Sequence, residues 1–362
     1  MDFSFTAEQE ALRELARRIL EDHVTHARLK AVEAEGDGFD RAAWQALSEA
    51  RLLGVAVPED FGGSGLGLLE LCLLLEQVGR TVAPVPVFPT LVLGALAVAE
   101  FGTAEQRRRW LPGVATGEVI LSAALAEPES DAPATVAARD GAGWRLDGVQ
   151  SHVPAAHLAA RILVPAGGGG VFLVDPRGRG VTLERQLATN REPLARLVLD
   201  GAAGERLPEA DVGWMVARAL VGLCAMQLGV TDRALRMTAE YTVRREQFDR
   251  PIASFQAVHQ RAADAYIDVE AIRLTTWQAA WRLAAGLPAS AAVAVAKFWA
   301  SEAAHRVVYA AQHLHGGIGV DVDYPLHRHY LWAKQIELTL GSGTRQLVGL
   351  GAELAARPPD GE

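Results

Sequence analysis

Residues 241–256 read YTVRREQFDRPIASFQ. An aromatic, two arginines, a Gln-Phe pair, a Pro-Ile break and a Phe-Gln restart do not make one uninterrupted helix, so a turn between two long helices is expected. Asp249 is expected to close the first helix. Pro251 cannot continue it, because proline lacks the N–H and clashes with the preceding turn. Arg244 and Arg245 then stand at a helix end. A guanidinium fork beside an exposed ring suits a planar ligand that carries phosphate, since the fork binds oxyanions bidentately and the ring stacks. For an arginine pair taken alone, a solvated charged helix end is the plainer reading.

Outward from this stretch, helical periodicity runs from about Asp211 to Arg244, from Ser254 to Ala285 and from Ala289 to Leu314. The last helix leads into QHLHGGIGVDVDYPLHRHY, residues 312–330. Gly316, Gly317 and Gly319 cost roughly 1 kcal/mol each against alanine inside a helix, so they mark a turn or a close backbone approach. His313 and His315 invite a metal reading. They are two apart, hence on different sides of a helix, and no Glu or Cys stands at ligand spacing, so no metal site is expected.

The N-terminal third is helical in pattern. Thr6 with Gln9 forms a capping-box start before Leu12, Leu15, Ala16 and Ile19, and Asp40 caps a helix carrying Trp44 and Leu47. In GVAVPEDFGGSGLG, residues 54–67, Pro58 and Gly62, Gly63, Gly65 and Gly67 forbid regular structure, so a shaped loop is expected. From about residue 118 the period shortens to strands: WRLDGVQSHVP, RILVPA, VFLVDP, GVTLERQ and LARLVLD. The four glycines at 167–170 lie between two apolar strands as a hairpin tip and lack the strand-then-helix setting of a phosphate loop.

Composition bounds the function. A chain of 362 residues with 50% hydrophobic content can bury a large core in two or three domains. A net charge of −9 lacks the basic footprint of a nucleic-acid binder. No signal peptide and no uninterrupted apolar run of membrane-spanning length is read, so a cytoplasmic location is expected. Cys72 and Cys224 sit in Leu-rich helical patterns as small buried hydrophobes.

The 241–256 stretch resembles the C-terminal signature of the acyl-CoA dehydrogenase family, in which a tyrosine, an arginine and a Phe-Gly pair precede Pro-Ile and Phe-Gln. Asp249 stands where the family usually has glycine. The Val-Pro-Glu-Asp-Phe-Gly-Gly loop, Phe-Gly-Thr followed by Glu-Gln, and Trp-Leu-Pro followed by Gly-Glu resemble its N-terminal domain, in the same order. The resemblance implies a mainly α, α+β fold: a helical domain at 1–117, a β domain at 118–208 and a C-terminal four-helix bundle at 209–362. It implies that Arg245 binds the FAD pyrophosphate of a neighbouring subunit and that Phe248 packs on that nucleotide. Gln312, Gly316 and Gly317 resemble the family motif that holds the adenosine end. In the flavin-facing strands this chain departs from the family, with Ala126 before Glu-Pro, Ser130 and Asp131 for Gly-Ser-Asp, and His152 and Pro154 where an aromatic and a threonine are typical.

The family's reaction removes an α-proton from an acyl-CoA thioester while the β-hydrogen leaves as hydride to the flavin. A carboxylate base is needed, because the α-carbon is a weak acid. The family position of that glutamate falls on Leu340 or Ser342, and the position used by other members falls on Ala219. None can be a base. Glu337, Asp321 and Asp323 are the nearest acids in sequence, with exposed structural roles expected for each. The resemblance therefore implies a base-less subunit that completes a catalytic paralogue's flavin site in a hetero-oligomer, with electron-transfer flavoprotein as acceptor. A self-sufficient homo-oligomer with a displaced base, and a cofactor-free scaffold of the same fold, remain open.

Overall fold

The computed structural model describes residues 3–125, 135–141, 143–168 and 170–356; Ala126, Ser130 and Asp131 lie outside them. Helices α1 (Ala7–His23), α2 (His26–Glu35), α3 (Arg41–Glu49), α4 (Leu68–Thr81), α5 (Leu96–Phe101) and α6 (Ala104–Ala115) come first. Strands β1 (Leu121–Ala123), β2 (Thr135–Asp140), β3 (Gly143–Pro154), β4 (Arg161–Ala166), β5 (Gly170–Val174), β6 (Val181–Leu187) and β7 (Pro193–Leu207) follow. The C-terminal part holds α7 (Val212–Arg244), the short strands β8 (Glu246–Gln247) and β9 (Arg250–Pro251), then α8 (Gln256–Ala284), α9 (Ser290–His315), α10 (Leu326–Leu338) and α11 (Gly343–Ala356). This is the mainly helical fold with a central sheet that the acyl-CoA dehydrogenase resemblance implies.

The chain forms two compact units, one of residues 12–74 and 84–219, the other of residues 1–11, 75–83 and 220–362. The first contains a seven-stranded sheet in the order β1-β4-β5-β7-β3-β2, with β6 also paired to β7. β7 can serve three partners because it is long: its first half pairs β6 and its end pairs β5, while β3 runs along most of it. Leu146, Val153, Ile162, Val164, Phe172 and Leu197 form its dry core. The helical part is fixed by local caps. Asp40 Oδ1 accepts from the N–H groups of Ala42 and Ala43, and Thr103 with Gln106 makes a full capping box, each worth about 1 kcal/mol. Gln106 also donates to Glu205 and to the Arg206 carbonyl, tying α6 to β7.

Two elements depart from the sequence reading. α2 has no amphipathic signal and is held by Thr25, whose Oγ1 accepts from the Arg28 N–H. Phe88–Ala95 is π-helical and fully buried, where the sequence shows only a proline-rich crossing.

In the second unit, Gly79 of α4 and Gly229 of α7 let two helices touch backbone to backbone. A methyl at Gly79 would run into the Met226 carbonyl, and one at Gly229 into the Glu76 carbonyl. Asp232 anchors the same contact, bonded to Arg80 at 2.9 Å, Arg236 at 2.8 Å and Arg273 at 3.2 Å. Cys72 and Cys224 are buried and unbridged. α7 is long and apolar enough to cross a membrane by composition, a property that a search for uninterrupted runs does not register. Some 67% of its most apolar window is buried inside the protein, as in the core helix of a bundle.

Candidate functional site

α7 ends where the sequence requires, with the Arg245 N–H closing its last turn on the Tyr241 carbonyl at 2.8 Å. Asp249 is not the cap that sequence reasoning expects. β8 and β9 pair as a two-residue hairpin whose central residues Phe248 (φ 56°) and Asp249 (φ 61°) are both left-handed. These are the φ signs of a type I′ turn, whose second central position, held here by Asp249, favours glycine. Asp tolerates this left-handed conformation better than most residues with a Cβ, so the charged residue can stand where the resemblance has glycine. The Arg245 carbonyl accepts from Ile252 N–H at 2.8 Å and shuts the hairpin. At its tip Phe248 is 87% exposed. Its ring meets Phe255 edge-on at 6.2 Å, and the Arg250 guanidinium lies 4.2 Å above Phe255. Arg245 is exposed and makes no ion pair among the described residues.

The glycine stretch lies at the other end of the same region. α9 stops at His315 because Gly316 takes φ 66° and ψ −141°. Gln312 turns its amide back on this loop, donating to the Gly316 carbonyl at 3.2 Å. A Cβ at Gly319 would come within 2.6 Å of that amide. At Gly316 and Gly317 a Cβ would meet nothing within 4 Å, so their backbone faces open space. The two stretches are joined by aromatic contact: Tyr241 stacks on His315 with centroids 4.4 Å apart, and Tyr324 approaches His315 at 5.3 Å. Burial pushes the His315 imidazole below its ordinary pKa, more than its bond to the Ala311 carbonyl raises it. Burial likewise raises Tyr324. Sequence reasoning weighed His315 only as a metal ligand. Among the described residues no three His, Cys, Asp or Glu side chains gather as a metal requires.

The donor set suits a dinucleotide's phosphate and adenosine portions. It combines an unpaired fork, a bare ring, an amide and two open glycine backbones. An open groove of about 510 Å³ between α8 and α9 is lined by the Arg306–Asp268 pair, Ile267 and Tyr309 and holds none of these residues.

The junction between α10 and α11 has no acidic residue of its own. Leu340 (φ 57°) and Gly341 (φ 95°) are both left-handed, Ser342 follows, and Gly343 opens α11. Ala219 is fully buried in α7. Glu337 is not the exposed acid that the sequence suggests: it is 15% exposed and pairs with Lys334 at 2.6 Å. Asp321 and Asp323 are exposed, and Asp321 Oδ1 accepts from the Asp323 N–H. Sequence reasoning missed Glu302, whose Oε1 lies 2.8 Å from where a Cβ on Gly343 would stand. Its signal was available, as the sole acid in the 26 residues of α9.

A family model described as acyl-CoA dehydrogenase, N-terminal domain, matches residues 6–118. One described as acyl-CoA dehydrogenase, C-terminal domain, matches residues 213–354. The chain belongs to the acyl-CoA dehydrogenase family. It is 42% identical to acyl-CoA dehydrogenase FadE27 of Mycobacterium tuberculosis, over 99% of this chain and 100% of the relative. Among solved structures it is similar to a chain of the Tcur3481-Tcur3483 steroid ACAD G363A variant, with TM-score 0.92, 48% identity and 97% and 99% of the two chains covered. It is likewise similar to a chain of the ChsE4-ChsE5 complex from Mycobacterium tuberculosis, with TM-score 0.95, 41% identity and 99% and 100% covered.

Acyl-CoA dehydrogenases are FAD-binding flavoproteins, oxidoreductases acting on CH–CH bonds. The β segment is locally irregular. His152 takes φ 58° at a register shift between Gln150 and Val153, and its N–H donates to Gln186 Oε1 at 3.0 Å. Pro154 accepts a hydrogen bond from the Ser122 hydroxyl at 2.5 Å, joining the middle of β1 to the end of β3.

Proposed function

We propose that this chain is the base-less subunit of a heteromeric acyl-CoA dehydrogenase and completes the flavin site of a catalytic paralogue. The observation that carries this reading is the Leu340-Gly341-Ser342 turn, which keeps a left-handed junction and offers no carboxylate. Set against it, the Arg245 hairpin and the Gly316 loop keep every group a nucleotide would need. Arg245 binds the pyrophosphate, Phe248 packs on the nucleotide, and Gln312, Gly316 and Gly317 face the adenosine. FAD, when bound, supplies the hydride acceptor for α,β-dehydrogenation of an acyl-CoA thioester. The base comes from the partner, and electron-transfer flavoprotein takes the electrons onward. The similarity to chains of the Tcur3481-Tcur3483 steroid ACAD and of the ChsE4-ChsE5 complex supports the two-chain assembly, and the first supports a steroid acyl group as substrate.

The test is expression alone and with a paralogous acyl-CoA dehydrogenase chain, followed by flavin absorbance and turnover of a steroid acyl-CoA with an artificial acceptor. Flavin and turnover in the complex only are expected. Flavin in neither would favour the scaffold reading. A self-sufficient enzyme has one observation in its favour, the Glu302 carboxylate beside Gly343. Turnover by the chain alone, lost in Glu302→Gln, would establish it.

A further inference from the structure

Tyr241 lies one helical turn before Arg245, and His315 immediately precedes Gly316. The stack between their rings, with planes 20° apart, is thus the physical link between the two halves of the site. Tyr324 completes it, its hydroxyl 3.1 Å from His315 Nε2. His315 Nδ1 lies 2.8 Å from the Ala311 carbonyl. A carbonyl can only accept, so Nδ1 carries the proton and donates. Nε2 is then an acceptor, and the Tyr324 hydroxyl donates to it. This arrangement requires a neutral imidazole; a proton on Nε2 makes that nitrogen a donor, reverses the bond onto the Tyr324 oxygen and leaves a cation in the buried stack with no carboxylate bonded to it among the described residues. Among the described residues no charged side chain bonds His315. The charges around the stack are Glu240, Arg233 and Arg244 of α7, which act on Tyr324.

We propose that Tyr241, His315 and Tyr324 are positioning residues, a clamp that sets the spacing of the Arg245 fork and the Gly316–Gly317 loop while His315 is neutral and relaxes when it is protonated. The clamp rests on the reading that both ends hold one FAD. None of the three rings touches the cofactor in this proposal. They act through the helix end and the loop, each of which needs the other in a fixed place for one ligand to bridge them. Burial of His315 keeps the clamp closed near neutral pH.

The experiment titrates FAD into the deflavinated, co-expressed complex, following flavin fluorescence from about pH 5 to about pH 8. In the wild-type complex affinity is expected to fall on the acid side. Tyr324→Phe removes only the hydroxyl. It should weaken FAD about tenfold near neutral pH and move the acid fall to higher pH, because Nε2 has lost the donor that favours its unprotonated form. Tyr241→Phe keeps the stacked ring and should lose less affinity than Tyr241→Leu. Wild-type affinity and pH profile in Tyr324→Phe, alongside weak binding in Arg245→Ala, would overturn the clamp and leave the flavin site standing. Lower thermal stability in Tyr324→Phe with an unmoved pH profile would reduce the stack to packing and also overturn it. Undiminished FAD affinity in Arg245→Ala would bring down the site and the clamp together.

Discussion

Lys297 of α9, wholly buried, donates through Nζ to the Glu337 carbonyl at 3.2 Å and to the neighbouring Ile336 carbonyl. One turn away Gln227 of α7 donates to the Ala333 carbonyl at 3.2 Å. α10 is therefore held by side-chain donors on two consecutive turns, immediately before the junction where the family places its base. Helix C-termini leave carbonyls without intrahelical partners, and a buried amine is one way to satisfy them.

Lys297→Met should leave those carbonyls unpaired and cost about 2 kcal/mol in urea unfolding near neutral pH. Burial pushes the Lys297 amine down to about 8, so from there to its ordinary value the folded state binds fewer protons than the unfolded one. This group alone makes stability rise with pH in that window. The Cys224 thiol, pushed up to about 12 by burial, acts in the opposite sense at higher pH. Comparing wild type with Lys297→Met isolates the lysine: the variant should lack the rising limb, and an unchanged limb would refute the assignment.

His329 governs the acid side. Its Nε2 lies 3.2 Å from the Arg80 carbonyl and its Nδ1 3.4 Å from that of Pro325. Burial nevertheless drives its pKa down to about 4, with the Arg233 and Arg80 charges adding to the effect. The folded state thus takes up its proton later than the unfolded chain. Stability present above the ordinary histidine value should be lost as pH falls toward 4, by on the order of 3 kcal/mol. His329→Gln should flatten that limb in denaturation curves taken across the window. His315 contributes in the same direction, so some acid sensitivity should remain.

Asp232 should be the most expensive polar residue to lose. Burial raises its pKa, but the Arg236 bond and the charges of Arg236, Arg273 and Arg80 outweigh it, and the carboxyl stays below its ordinary range. Asp232→Asn leaves three guanidiniums around a neutral amide and should destabilise by about 3 kcal/mol. The loss should vanish only under acid conditions, below the ordinary aspartate range, where the wild-type carboxylate is itself protonated. A variant as stable as wild type at neutral pH would show that the network is decoration.

What the sequence disclosed was whatever neighbouring residues decide. Pro251 forbids the helix, Asp40 and the Thr6–Gln9 pair announce helix starts, and Gly316 ends α9 through its own φ. What it hid depends on distant partners. Asp249 looked like a cap because the hairpin that makes it a turn residue requires β8 to pair with β9. Glu337 looked exposed because the packing of α10, unlike its local Lys334 partner, is invisible in one strand of text. Tyr241 and His315 lie 74 residues apart, and no local rule brings their rings together. Glu302 was passed over for the same reason, since Gly343 gives it meaning only once α9 and α11 are packed.

Arg245 gives the sharpest functional contrast. A pyrophosphate held at a subunit boundary needs a fixed cationic fork. Arg245→Ala in the co-expressed complex should therefore cost on the order of 2 to 5 kcal/mol in FAD binding, as for other charge pairs deprived of one partner. Arg245→Lys should recover little of it, because a point charge does not reproduce two parallel N–H donors. Ser342→Ala changes a side chain at the α10–α11 junction and should leave flavin content and turnover near wild type. Flavin content by absorbance and turnover of the complex, measured side by side for the three variants, decide the matter. Full flavin in Arg245→Ala, or lost turnover in Ser342→Ala, would mean that the working site lies at this chain's own α10–α11 junction instead of its partner's.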